Sequence, residues 1–153
     1  MFPQTFDFRL FRLFHGDFPA RQSLVIAKIP ALVQRRLGWI SSNVHFSLKD
    51  AQKIRFHHEH GMSYLHAYNI IPTIIEGDYY QNPRRGNDRT LEVVWHNPAI
   101  EKDCHFLVLQ RNTEDTGIFI RTFYRNKAIT RSKLSGSKRL LNQSGLNYFK
   151  NIM

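Results

Sequence analysis

Apolar residues keep two rhythms along this chain. Over residues 19–76 they recur mostly at helical spacing. Beyond residue 90 they gather into short runs rich in β-branched and aromatic side chains. Residues 1–18 fit neither pattern cleanly. Phe6, Phe8 and Leu10 alternate, and Phe11, Leu13 and Phe14 break the alternation. An edge strand or an amphipathic helix docked on the body would both fit.

Residues 19–39 read as a helix in which Leu24, Ile26, Ile29, Val33 and Leu37 are mixed with Lys28, Arg35 and Arg36. Pro30 should kink or divide it, and Gly38 is a stop signal. Residues 44–46 fit a short strand. Ser47 then has the chemistry of a helix N-cap, with Asp50 three positions later to reach back to a free backbone N–H. The helix it opens should run over 48–60 and end at Gly61. Leu48, Ala51, Ile54 and His58 share its inward side, and Lys53, His57 and His60 form a neighbouring stripe. A second helix is expected over 64–76, greasy through Ile70, Ile71, Ile74 and Ile75, and closed by Gly77-Asp78. NPRRGNDR, 82–89, has the composition of a loop.

LEVVWH (91–96), CHFLVLQ (104–110) and GIFIRTFY (117–124) are spaced as an antiparallel meander. Strict alternation in the last run sends Phe119, Arg121, Phe123 and Arg125 one way, and Ile120, Thr122 and Tyr124 the other. LLNQSGLNYF, near the end, suggests a final short helix. The expected fold is therefore α+β, with N-terminal helices packed on a small antiparallel sheet. It is one domain of 153 residues: a possible docking arm at 1–18, a core at 19–140 and a C-terminal tail or helix at 141–153.

Charge adds what periodicity does not. Lys and Arg number 22 against 12 Asp and Glu, a formal net charge of +10. After Asp115 no acidic residue follows, yet eight cations do, from Arg121 to Lys150. Clustered cations of this kind usually meet a polyanion, most often nucleic acid. A solubilising surface or a patch for an acidic protein is the plainer alternative. The single cysteine, Cys104, excludes an internal disulfide framework and fits a reducing, cytoplasmic compartment, with secretion or delivery as an effector the alternative. No apolar run has the length of a membrane span, and the start of the chain lacks the unbroken apolar stretch of a secretory signal.

KIRFHHEHGM, 53–62, concentrates imidazoles on a basic helix. Zinc is one reading: His57 and His60 are spaced to chelate, with His66 or His96 as further ligands, but neither a second cysteine nor a carboxylate at zinc-like spacing completes the set. Nucleophile elbows and phosphate-cradling glycine loops are missing from the sequence. RNA cleavage asks for less. RNA carries its own nucleophile, the 2′-hydroxyl. Imidazoles near their pKa can move the protons, and cations can stabilise the phosphorane, without a metal or cofactor. His57 and His58, Arg121 and Arg125, and the hydroxyls of Thr122 and Tyr124 supply that set. Taken singly, each has a bland reading: a solvated helix end for the histidines, cross-strand packing for the strand residues.

VHFSLKDAQKIRFHHEHGMSYLHAYNIIPTIIEGDYY resembles the front half of phage-type nuclease domains of the barnase–EndoU–colicin–RelE superfamily. IFIRTFYRNKAITR resembles their late strand, and KIPALVQRRLGWISSNV their lead-in. The likeness spans roughly residues 28–140. It implies a metal-independent endoribonuclease of toxin type that leaves a 2′,3′-cyclic phosphate. By position, His58 matches the family's helix histidine, with His57 next, and Thr122 and Arg125 match its late-strand pair. Tyr124 would join them at the scissile phosphate, while Lys53, Arg55, Arg121 and Lys127 would hold the RNA backbone. An acidic inhibitor or antitoxin is the partner such an activity implies. Two departures stand out: Gln110, beside Arg111, occupies the place of an expected lysine, and FDFRLFRLF has no counterpart. The alternative reading of the residues is a non-catalytic RNA- or DNA-binding module that stacks bases on its aromatics.

Overall fold

The computed structural model describes residues 21–57, 69–81, 88–96, 104–126 and 137–144, with Leu10, Arg12, Leu13, Gly16 and Pro19; for 55–57 and 124–126 it describes the backbone. The elements run β1 (Ser23–Lys28), α1 (Ala31–Leu37), β2 (Asn43–Ser47), α2 (Leu48–His57), α3 (Ile70–Glu76), β3 (Asp78–Gln81), β4 (Thr90–His96), β5 (Cys104–Arg111), β6 (Ile118–Asn126) and β7 (Lys138–Leu141). Seven strands form one sheet in the order β1-β2-β6-β5-β4-β3-β7. All neighbours are antiparallel except β2 and β6, which are parallel.

The α+β class holds. The expected helix over 19–39 does not, because its first half is strand β1. Leu24 and Ile26 are buried on either side of an exposed Val25, a two-residue alternation that a strand satisfies and a helix does not. Pro30 divides the two elements and caps α1, and Gly38 ends that helix in the left-handed conformation at φ 70°. The sheet is also larger than a meander. The β4-β5-β6 meander is present, but β1 and β2 extend it on one side and β3 and β7 on the other. DYYQ, to which the sequence pattern assigns no element beyond the Gly77-Asp78 stop, pairs as β3, and Leu140 and Leu141 belong to β7 instead of a final helix. Residues 145–153 lie outside the described residues.

The main core draws on one face of the sheet and on the helices. Leu24, Phe46, Tyr79, Val93, Leu107 and Phe123 meet Val33, Ala51, Ile54, Ile70, Ile71 and Ile74 there, and Leu10 and Leu13 are fully buried among them. Helix α3 touches β1 as well as β4 and β5, and Arg36 of α1 donates a 2.6 Å hydrogen bond to the Leu140 carbonyl of β7. The sheet therefore curls, bringing its two edge strands to a shared core. Tyr80, Val94, Cys104 and Phe106 form a smaller cluster on the opposite face, so Cys104 is a buried hydrophobe. Among the described residues no helix is long and apolar enough to cross a membrane.

A β-bulge overturns the expected alternation in β6. Val108 pairs with Thr122, and the next β5 residue, Leu109, pairs with Ile120, leaving Arg121 as the extra residue. Phe123 consequently turns to the same buried core as Ile118 and Ile120. Phe119 belongs to neither core cluster.

Candidate functional site: a cationic pocket

Three pieces of chain converge at one end of the β2–β6–β5 region. The first is the start of α2. The Ser47 hydroxyl accepts from the Asp50 backbone N–H at 3.1 Å, the expected N-cap, and donates to the Asp50 carboxylate at 3.0 Å, so that carboxylate takes the hydroxyl rather than the expected backbone N–H. This fixes the first turns of a helix that carries Lys49 and Lys53 outward while Ala51 and Ile54 face the core. The second is the hairpin between β5 and β6. Asn112 organises it, accepting from the Thr116 and Gly117 backbone N–H groups at 2.9 and 3.2 Å and donating to the Thr116 hydroxyl at 2.7 Å. The third is the approach to β4, where the Arg89 carbonyl accepts from the Arg111 N–H at 2.8 Å.

Between them lies a cavity of about 400 Å³. Among the described residues its cations are Lys49, Lys53, Arg89, Arg111 and Arg121, and its one carboxylate is Asp50. Ser47, Gln110, Asn112 and Phe119 complete the lining among the described residues. Five cations against one acid create a positive field that an anion would relieve.

Arg111 is held from two sides. Its guanidinium lies 5.4 Å from the Trp39 ring centroid, and its Nε is 4.0 Å from the Asp115 carboxylate. Asp115 also accepts from the backbone N–H of Ile40 at 2.7 Å and of Ser41 at 2.9 Å, and from the Ser41 hydroxyl at 2.6 Å. These bonds, led by the Ser41 hydroxyl, hold its carboxyl down at about 2. Asp115 takes a positive φ of 55°, a conformation the turn and these bonds together fix.

Beside the pocket, His45 stacks on Phe119 with ring centroids 5.2 Å apart and planes 24° from parallel. Register causes this: His45 pairs with Phe119 across the parallel β2–β6 ladder. His45 Nδ1 is 2.8 Å from the Ser23 hydroxyl. Partial burial pushes the His45 imidazole below its ordinary pKa, which favours its neutral form.

Lys53 and Arg121, two of the residues expected to hold RNA, both line this pocket. Gln110 and Arg111 line it too, so the place of the expected lysine has a cation next to it. Thr122 is half-buried on β6 and is not among the described lining residues. His57 ends α2, while Tyr124 and Arg125 lie late in β6, Arg125 opposite His105; their side chains, and that of Arg55, lie outside the described residues, as do His58, His60, His66 and Lys127 entirely. Among the described residues no group of three or more His, Cys, Asp or Glu could hold a metal. Sequence reasoning missed Lys49, Arg89 and His45. Lys49 follows the recognised cap by two residues, and that signal was available. Arg89 reaches the pocket through β4–β5 pairing, which local sequence does not encode.

Comparison with protein-family models, with curated proteins and with solved structures finds no match.

Proposed function

We propose that the protein is a metal-independent endoribonuclease that binds the RNA backbone in the cationic pocket and cleaves by 2′-hydroxyl attack. The observation that carries the reading is the gathering of five cations from α2, β5, β6 and the approach to β4 around one cavity. Side chains drawn from separate stretches of sequence to one small space suit an anionic phosphate far better than a merely solubilising surface does. In this reading Arg121, Lys53 and Arg111 hold the scissile region. His58 and His57 are the candidate groups for moving the protons, and Thr122, Tyr124 and Arg125 the candidate groups for stabilising the phosphorane. An acidic inhibitor would answer the +10 charge and the same pocket.

The test is incubation of purified protein with RNA in EDTA, followed by analysis of the new termini. Cleavage leaving 2′,3′-cyclic phosphates, lost in a His57→Ala/His58→Ala double variant, is the expected result. Intact RNA across a pH series, from a protein whose fold is verified, would overturn it. A second reading, a non-catalytic RNA-binding module, is favoured by one observation: no histidine is among the described residues that line the pocket. It gives salt-sensitive binding without product.

A further inference from the structure

Two phenylalanines of β6 have opposite fates. Phe123 is fully buried in the main core, whereas Phe119 is half-buried, outside both core clusters, and lines the cationic pocket. An aromatic ring kept out of the core that lines the same cavity as five cations leaves apolar surface beside an anion site. That is a poor arrangement for phosphate alone and a good one for a phosphate that carries a base.

The ring is also held in place. His45 covers one of its faces, register across β2–β6 sets the pair, and the Ser23 hydroxyl anchors the imidazole. Gly117 leaves them room. A Cβ there would come within 3.0 Å of His45 Cδ2, 3.1 Å of His45 Nε2 and 3.3 Å of Phe119 Cε2. The cavity beside the ring, about 400 Å³, is at the small end of ligand pockets and of the size for one nucleotide unit.

We propose that Phe119, backed by His45, is a stacking platform for a single unpaired nucleobase, which makes the pocket selective for single-stranded over duplex RNA. The inference rests on the reading of the pocket as an RNA site and adds the substrate class. Bases in a duplex are stacked on both faces by their neighbours, so only a splayed or unpaired base can reach Phe119. The cations then hold the phosphates on either side of it.

Fluorescence anisotropy on the full chain tests this, with 2′-O-methyl RNA so that no cleavage intervenes. Four probes are compared: a labelled single strand, the same strand as a blunt duplex, a strand with an abasic position, and polyphosphate as competitor. The single strand should bind roughly 10- to 100-fold tighter than the duplex, the scale of one base–aromatic stack. Phe119→Leu should remove most of that preference and leave duplex and polyphosphate binding unchanged; Phe119→Trp should retain it. Gly117→Ala, by shifting the stack, should reduce it in part. Should Phe119→Leu fail to fold, the abasic strand decides on wild type alone: weaker binding supports the platform, and equal binding overturns it. Single strand and duplex bound alike, both salt-sensitively, would overturn the platform and leave the RNA reading standing. No binding of either would overturn both.

Discussion

Replacing Arg121 by alanine separates a working phosphate site from a generally basic surface. Arg121 is the exposed bulge residue of β6 and lines the pocket, so its removal should change stability by no more than about 0.5 kcal/mol. Its effect on binding should be large and of a particular kind. Affinity for single-stranded RNA falls with salt at a log–log slope of about −0.7 for each phosphate neutralised. If all five lining cations engage, the slope is roughly −3.5, and a fourfold rise in salt weakens binding by roughly 100-fold. Arg121→Ala should bring the slope to roughly −2.8, so that the same rise in salt weakens binding by roughly 50-fold. Anisotropy titrations with a labelled 2′-O-methyl strand over a salt series measure it. Lys138→Ala is the control, since Lys138 is an exposed cation on β7 that does not line the pocket. An unchanged slope in Arg121→Ala, or an equal fall in Lys138→Ala, would refute the reasoning and make the attraction a property of net charge.

Two further substitutions probe the frame around the site. Asp115→Asn should loosen the bracket that joins the β5–β6 turn to Ile40 and Ser41 and steadies Arg111. The folded carboxyl titrates at about 2 against an ordinary 3.8, so its stabilisation is present above the higher value and lost as pH falls through the lower. Urea midpoints of wild type and Asp115→Asn should therefore differ at neutral pH and converge toward about pH 2; a constant difference would contradict this. Gly77→Ala should lower stability by ~1–3 kcal/mol by urea denaturation, because a Cβ there collides with the Thr73 carbonyl and the Val93 side chain, and a neutral result would show that the helix–strand joint can give way.

The parts of the fold that were legible in sequence are those set by local chemistry. The Ser47–Asp50 cap, the Gly38 stop and the β4–β5–β6 runs needed only neighbouring residues to declare themselves. What escaped depends on partners distant in the chain. The alternation of Leu24, Val25 and Ile26 is too short to outweigh the helical spacing around it, and it becomes a strand because β2 pairs with it. The parallel β2–β6 pairing brings His45 to Phe119 and has no local signature. The bulge at Arg121 defeats any strict two-residue rule, moving Phe123 to the core and leaving Phe119 on the pocket side. The site was half legible for the same reason. Lys53 and Arg121 stood out by charge and position, and Arg111 and Lys49 were within reach of local signals, whereas Arg89 acquires meaning only when the approach to β4 is brought against the β5–β6 hairpin.

Where RNA touches the protein is the most direct question to put to this account. A single strand carrying a photoactivatable uridine, crosslinked to the full chain and mapped by peptide mass spectrometry, answers it. Crosslinks should concentrate in residues 47–53 and 110–121, with Phe119 among the modified positions. Crosslinks on β7 around Lys138 and Arg139, with none in those two segments, would contradict it.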